Sequence, residues 1–137
     1  MILNNPSRKE IKNVLDHAKT IAVIGLSPNP SRTSYIVSES MQRAGYRIIP
    51  VNPRADTVLG EKSYASLSDI PEKVDIVNVF RRSEFLEGIA DEFIKIDCPV
   101  FWTQLNVVDE NVFNRLADVG YTVIMDRCIK VEHAILK

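Results

Sequence analysis

No apolar run of about 18 residues occurs anywhere in the sequence, so nothing in it has the length of a membrane-spanning helix. The opening residues, Met1-Ile2-Leu3-Asn4-Asn5-Pro6-Ser7, hold no basic region followed by an apolar stretch, which argues against a secretory leader. Cysteine is scarce. Cys98 and Cys128 lack the close spacing of a metal or redox pair, so both are expected as free buried thiols in a reducing cytoplasm. Charge of one sign is also missing: a net charge of -1 and an isoelectric point near 6.1 exclude a global basic field for nucleic acid or an anionic membrane, leaving only local anion sites. There is no low-complexity tract, repeat or linker, and 45% hydrophobic against 26% charged residues is the balance of an ordered chain. At 137 residues a single domain spanning 1–137 is expected.

What is present alternates between two periodicities. Ser7-Arg8-Lys9-Glu10 is a capping box, in which the serine hydroxyl accepts from the amide three residues on and the glutamate reaches back. Ile11, Val14, Leu15 and Ala18 follow at helical spacing, predicting a helix over 7–19. Thr20-Ile21-Ala22-Val23-Ile24 is a β-branched run with almost no polar alternation, the mark of a strand covered on both faces, and Gly25 ends it. Ile36, Val37 and Met41 predict a helix over 34–44 that closes at Gly45. The cycle repeats with strands over 46–51, 75–80, 100–103 and 121–126, helices over 83–94 and 109–117, and a short terminal helix. The stretch with Pro53, Gly60 and Pro71 is a connection. Five or six strands alternating with helices predict an α/β, Rossmann-like three-layer α/β/α sandwich on a parallel sheet.

In such a sheet ligands bind beyond the carboxyl ends of the strands, at the switch point, so the loops after each strand carry the candidates. The first, Gly25-Leu26-Ser27-Pro28-Asn29-Pro30-Ser31-Arg32-Thr33-Ser34-Tyr35, runs into a helix N-terminus and gathers amides, hydroxyls and the Arg32 guanidinium. It reads as an anion site, or as an ordinary loop whose serines and threonine cap the helix. It is not the dinucleotide fingerprint, which wants three glycines and an acid ending the second strand, nor a P-loop with its Gly-Lys-Ser/Thr. The first strand also lacks the terminal carboxylates that would hold a magnesium ion. The second strand ends Val51-Asn52-Pro53-Arg54, and Arg54 suits a nucleotide with an extra phosphate on its ribose, as in coenzyme A or NADP, or a solvated surface position. Phe80-Arg81-Arg82 follows the third strand, and Trp102-Thr103-Gln104-Leu105-Asn106 spans the end of the fourth. Trp102 is read as core packing, with Gln104 and Asn106 as hydrogen-bonding partners for ligand amides. Cys128, Glu132 and His133 are read as structural rather than as a nucleophile with its base.

These stretches resemble the YccU-type CoA-binding proteins, which are similar to the CoA-binding domain that opens the succinyl-CoA synthetase α subunit. The resemblance rests on Ile21-Ala22-Val23-Ile24-Gly25-Leu26-Ser27, Asn29-Pro30-Ser31-Arg32, Ser34-Tyr35, Val51-Asn52-Pro53, Val58-Leu59-Gly60, Asp69-Ile70-Pro71, Val79-Phe80-Arg81, Trp102 with Gln104, and Asp126-Arg127-Cys128 with Glu132-His133. It implies that Gly25, Ser27, Arg32 and Ser34 contact phosphates, that Asn52, Pro53 and Arg54 take the adenosine side, and that Phe80, Arg81 and Gln104 take the pantetheine side. Thr33 stands where many relatives have proline, although threonine also starts helices well. The synthetase's activity is not implied, because it needs a histidine from a second domain, and neither His17 nor His133 fits that role. The expectation is therefore non-catalytic binding of coenzyme A or an acyl-CoA by a cytoplasmic domain, with no metal, nucleic acid or membrane. A homodimer or an unidentified protein partner is compatible with it. The alternatives are a non-autonomous component of an enzyme acting on CoA thioesters, and a protein that binds NADP or another adenine nucleotide.

Overall fold

The structure, a computed structural model, describes residues 3–137. Its five-stranded parallel sheet runs in the order β2 (Arg47–Val51), β1 (Thr20–Ile24), β5 (Ile76–Val79), β6 (Val100–Thr103), β7 (Thr122–Ile124). Between β2 and β5 lies what the sequence did not announce, a small antiparallel hairpin of β3 (Thr57–Val58) and β4 (Glu61–Lys62). Two-residue strands fall below any detectable alternation, so this segment reads as a plain connection until its partners are seen. The hairpin is a separate sheet, and the main sheet has five strands rather than six.

The apolar run of β1 is buried at every position because the sheet is covered twice. Ala22 and Ile24 face a cluster built with α3 (Leu86–Phe93) and α4 (Glu110–Asp118) through Leu86, Phe93, Val112 and Leu116. Ile21 and Val23 face the opposite cluster, built with α1 (Arg8–His17), α2 (Thr33–Arg43) and α5 (Ile129–Leu136) through Ile11, Leu15, Val37, Met41 and Ile129. Ser7 caps α1 as its capping box predicts, accepting from the Glu10 amide at 3.2 Å, and Asp109 caps α4 by accepting from Val112 N at 3.0 Å. Helix α1 ends at His17, two residues short of the predicted boundary, because Lys19 and Thr20 instead donate their amides to Asp75 Oδ2 at 2.9 and 3.0 Å.

Register decides where the loops emerge. Ile24 stands opposite both Val51 and Val79, and Val79 opposite Thr103, so the central strands end level. The ladder continues one residue further: Gly25 N donates to Val51 O at 3.0 Å, Phe80 N to Ile24 O at 2.9 Å, and Gln104 N to Val79 O at 3.3 Å. The first loop residues after β1, β2, β5 and β6 are thereby fixed on one rim. At the β7 edge the side chain of Asn5 closes the exposed ladder, donating to Met125 O at 2.8 Å and accepting from Met125 N at 2.9 Å. Among the described residues no helix is long and apolar enough to cross a membrane.

Helix α1 is tied to the end of α5 by Asp16, which accepts from Lys12 Nζ at 2.8 Å and Lys137 Nζ at 2.6 Å. These two ammonium groups lower the Asp16 carboxyl from an ordinary 3.8 to about 2. Because the folded value lies below the unfolded one, the contribution is complete above about pH 4 and is lost as pH falls towards about 2. Urea titrations of the wild type and Asp16→Asn at a series of pH values are expected to differ above that window and to converge below it. An unchanged difference at the acid end would remove this link from the acid response.

Candidate functional site

Gly25 sets the geometry of the rim. Its φ is +82°, and a Cβ added to it would stand 2.5 Å from the Phe80 carbonyl oxygen and 3.1 Å from Arg81 Cδ. The loops leaving β1 and β5 diverge here, at the switch point of the strand order, and only a residue without a side chain lets their backbones meet this closely.

Beyond Gly25 the loop is tied to itself. Ser27 N donates to Ser34 Oγ at 3.0 Å, Asn29 N to Ser27 Oγ at 3.1 Å, and Ser31 N to Asn29 Oδ1 at 3.0 Å. The hydroxyls of Ser27 and Ser34 thus hold the loop's shape rather than cap the helix. Arg32 occupies the N-cap of α2 and no side chain satisfies that end. Among the described residues the amides of Thr33, Ser34 and Tyr35 find no acceptor. An uncapped eleven-residue helix therefore presents donors and its positive dipole end to the rim.

Asn52 braces the next loop. Its Nδ2 donates to Leu26 O at 3.0 Å and its Oδ1 accepts from Arg54 N at 2.9 Å, while Ser63 Oγ donates to its carbonyl at 2.9 Å. On the other side Gln104, 6% exposed, donates from Nε2 to Asn78 Oδ1 at 2.8 Å. Asn106 and Asp126 hold positive φ, 67° and 60°, and are joined by a 2.7 Å bond from Asn106 N to Asp126 Oδ1. Backbone strain in non-glycine residues persists where surroundings over-determine it, typically beside sites.

Three adjoining cavities make one groove along this rim. The first, about 630 Å³, lies between the β1 and β2 ends and is lined by Gly25, Arg32, Asn52, Pro53, Arg54 and Arg81. The second, about 540 Å³, adds Ser27, Thr33, Ser34 and Phe80. The third, about 630 Å³, shares Thr33, Phe80 and Arg81 and reaches Gln104, Asn106 and Cys128 near the β6 and β7 ends. All ten residues singled out from the sequence line this groove. A concavity of about 740 Å³ lies instead on α1 at the amino edge, among Lys9, Glu10, Lys12 and Asp16, away from the switch point and rimmed by side chains of mixed sign.

The arginines fall into two groups. Arg8, Arg43, Arg47, Arg82 and Arg115 each have a carboxylate within 4 Å, and Arg127 donates to the Asp126 carbonyl at 2.9 Å. Arg32, Arg54 and Arg81 have no carboxylate that close among the described residues; Arg81 instead lies over the Phe85 ring at 4.3 Å. Glu92 lines the first cavity as well.

Other groove residues had no sequence signal. Leu67 and Ile89 supply apolar wall to the first cavity from a 3-10 turn and from α3, segments that read as ordinary core. Cys128 departs from the expectation of a buried thiol, being half-buried and part of the third cavity. Trp102 is fully buried, as expected, with Nε1 donating to Arg127 O at 2.9 Å. His17 Nδ1 meets Asn13 O at 2.8 Å on α1, and His133 packs edge-on to Tyr46, so neither histidine lines the groove.

Comparison with known proteins adds four findings. The profile of a family described as CoA binding domain matches residues 19–134. The uncharacterized protein YneT of Bacillus subtilis is 56% identical over 135 residues, 98% of this chain and 100% of that one. An ADP-forming acetate-CoA ligase II of Archaeoglobus fulgidus is 38% identical over 64 residues, 45% of this chain but 10% of the ligase. Among solved structures, the protein called cell-free ID.343 from Thermus thermophilus superposes with a TM-score of 0.92 at 36% identity, over 96% of this chain and 100% of that one.

The contact at Gly25 has a measurable consequence. Gly45 also has a positive φ, +107°, but nothing lies within 4 Å of an added Cβ. Gly45→Ala is expected to cost only backbone strain, about 1–2 kcal/mol, whereas Gly25→Ala must also displace a carbonyl and is expected to cost about 3 kcal/mol or more. Denaturant titration of the two variants checks this, and equal costs would deny the close contact.

Proposed function

Because the chain belongs to the CoA binding domain family, we propose that it binds coenzyme A or an acyl-CoA in the groove and releases it unchanged. The observation that carries this reading is the coincidence, on one rim, of an uncapped helix N-terminus with three guanidiniums that have no carboxylate partner among the described residues. Unpaired arginines spaced along a groove match a ligand with anions at two separated points. The pyrophosphate sits on the Thr33–Tyr35 amides beside Arg32. The adenosine lies over Pro53, Leu67 and Ile89 with its 3′-phosphate on Arg54, and the pantetheine arm passes Phe80 and Arg81 into the third cavity. There Gln104 Oε1, which accepts no hydrogen bond among the described residues, takes a pantetheine amide N–H.

No chemical step is assigned to the chain, since both histidines lie outside the groove. We place it in the cytoplasm. The likeness to a tenth of an ADP-forming ligase favours a second reading, in which the chain presents CoA to a separate catalytic protein.

Calorimetric titration of ligand-stripped protein tests the assignment. CoA and acetyl-CoA are expected to bind and NADP to stay silent. Arg54→Ala is expected to weaken CoA by about 1.5–3 kcal/mol while barely changing 3′-dephospho-CoA, and Arg32→Ala to weaken both. Absence of heat with CoA overturns the proposal, and equal losses for the two ligands remove Arg54 from the 3′-phosphate.

A further inference from the structure

Helix α3 carries three acids, and they differ in what answers them. Glu87 and Asp91 are exposed and meet Arg115 of α4 at 3.2 and 2.8 Å. Glu92 is half-buried and has no cation within 4 Å among the described residues. It lines the first cavity together with Arg32, Arg54 and Arg81, yet it pairs with none of them.

Its place follows from the wall beside it. Ile89 and Glu92 are three residues apart on α3 and so share a face. Helix α3 packs on the 3-10 turn Leu67–Asp69, which adds Leu67 to the same lining. Glu92 therefore adjoins the apolar wall of Leu67 and Ile89, whereas Asn52, Pro53 and Arg54 enter the cavity from the loop after β2. A carboxylate only accepts hydrogen bonds, and in a groove that takes phosphates its charge repels the ligand. Left without a cation, it is a cost to anion binding that only a donor on the ligand offsets.

We propose that Glu92 accepts a hydrogen bond from the 6-amino group of the adenine and thereby selects adenine over a 6-oxo purine; this rests on the CoA-binding reading above. The adenosine offers two kinds of donor, the 6-amino group and the ribose 2′-hydroxyl. The hydroxyl neighbours the 3′-phosphate, where a carboxylate would oppose Arg54, while the base lies over Leu67 and Ile89, the wall that Glu92 adjoins. A hypoxanthine or guanine base turns a carbonyl oxygen to the same carboxylate, so that a favourable contact becomes a repulsion between two acceptors. The arginines hold the ligand by its phosphates whatever base it carries, and Glu92 reads the base.

Calorimetry on ligand-stripped protein compares CoA with deamino-CoA, in which hypoxanthine replaces adenine, and with 2′-deoxy-CoA. The wild type is expected to bind deamino-CoA about tenfold more weakly than CoA, the loss of one hydrogen bond to a charged group, and to bind 2′-deoxy-CoA as it binds CoA. Glu92→Gln is expected to bring the two bases to nearly equal affinity, because its amide accepts from a 6-amino group and donates to a 6-oxo group alike. A Glu92 that acts only through its charge gives another pattern: Glu92→Gln then strengthens both ligands equally and leaves their ratio unchanged, which overturns the inference. The wild-type comparison needs no variant and stands if Glu92→Gln fails to fold. Equal binding of CoA and deamino-CoA by the wild type, or a loss confined to 2′-deoxy-CoA, overturns the role of Glu92 and leaves the CoA-binding reading intact. Absence of heat with CoA itself overturns both.

Discussion

The contact between Gly25 and the Phe80 carbonyl is the constraint on which the rest of the rim depends. At the switch point the chain leaves β1 toward one side of the sheet and leaves β5 toward the other, and the two departures share a space too small for a methyl group. The backbone of the first loop can then lie flat on the strand ends and bring the start of α2 down to the groove. A larger residue would lift the loop, separate Arg32 from Arg81, and open the junction through which the three cavities communicate.

Around that contact the protein divides its polar groups in two ways. Elsewhere Arg8, Arg43, Arg47 and Arg115 are answered by carboxylates, as in the fork of Arg47 on Glu72 at 2.6 and 2.8 Å. Along the groove the side chains that brace the loops, Ser27, Ser34 and Asn52, are satisfied internally, while the groups proposed to meet a ligand, the α2 amides and three guanidiniums, are left open among the described residues. Bracing groups and receiving groups are thus distinct sets. This keeps the receiving set preorganised, so an anion arriving there does not have to rebuild the loop that receives it. Because a ligand that binds only the folded chain raises its stability, occupancy and folding are linked through the same rim.

Much of this was legible in residue order. The Ser7 capping box, the unbroken β1 run and the breaker Gly25 are local signals whose physics acts within a few residues, and the helices and strands they predict stand within two residues or so of those observed. The loop residues were legible because a parallel sheet puts every strand's carboxyl end on one rim. The β3–β4 hairpin was not legible, since two-residue strands have no period, and neither was the apolar wall of Leu67 and Ile89, which look like any other core positions. The roles of Ser27 and Ser34 were ambiguous for a related reason: a hydroxyl near a helix start caps the helix or braces the loop according to a backbone path that sequence does not specify.

By itself, then, the sequence determined the alternation of elements, the two-sided burial of the sheet and the identity of the residues that leave its carboxyl edge, because periodicity, capping and chain breaking are short-range properties. Only the tertiary structure decided which of those residues brace and which stay open, that Arg32, Arg54 and Arg81 have no carboxylate within 4 Å among the described residues, and that Cys128 lines the groove while Cys98 is sealed in the core. Burial, pairing and exposure are set by neighbours brought in from distant parts of the chain, and the two cysteines end in different surroundings for that reason.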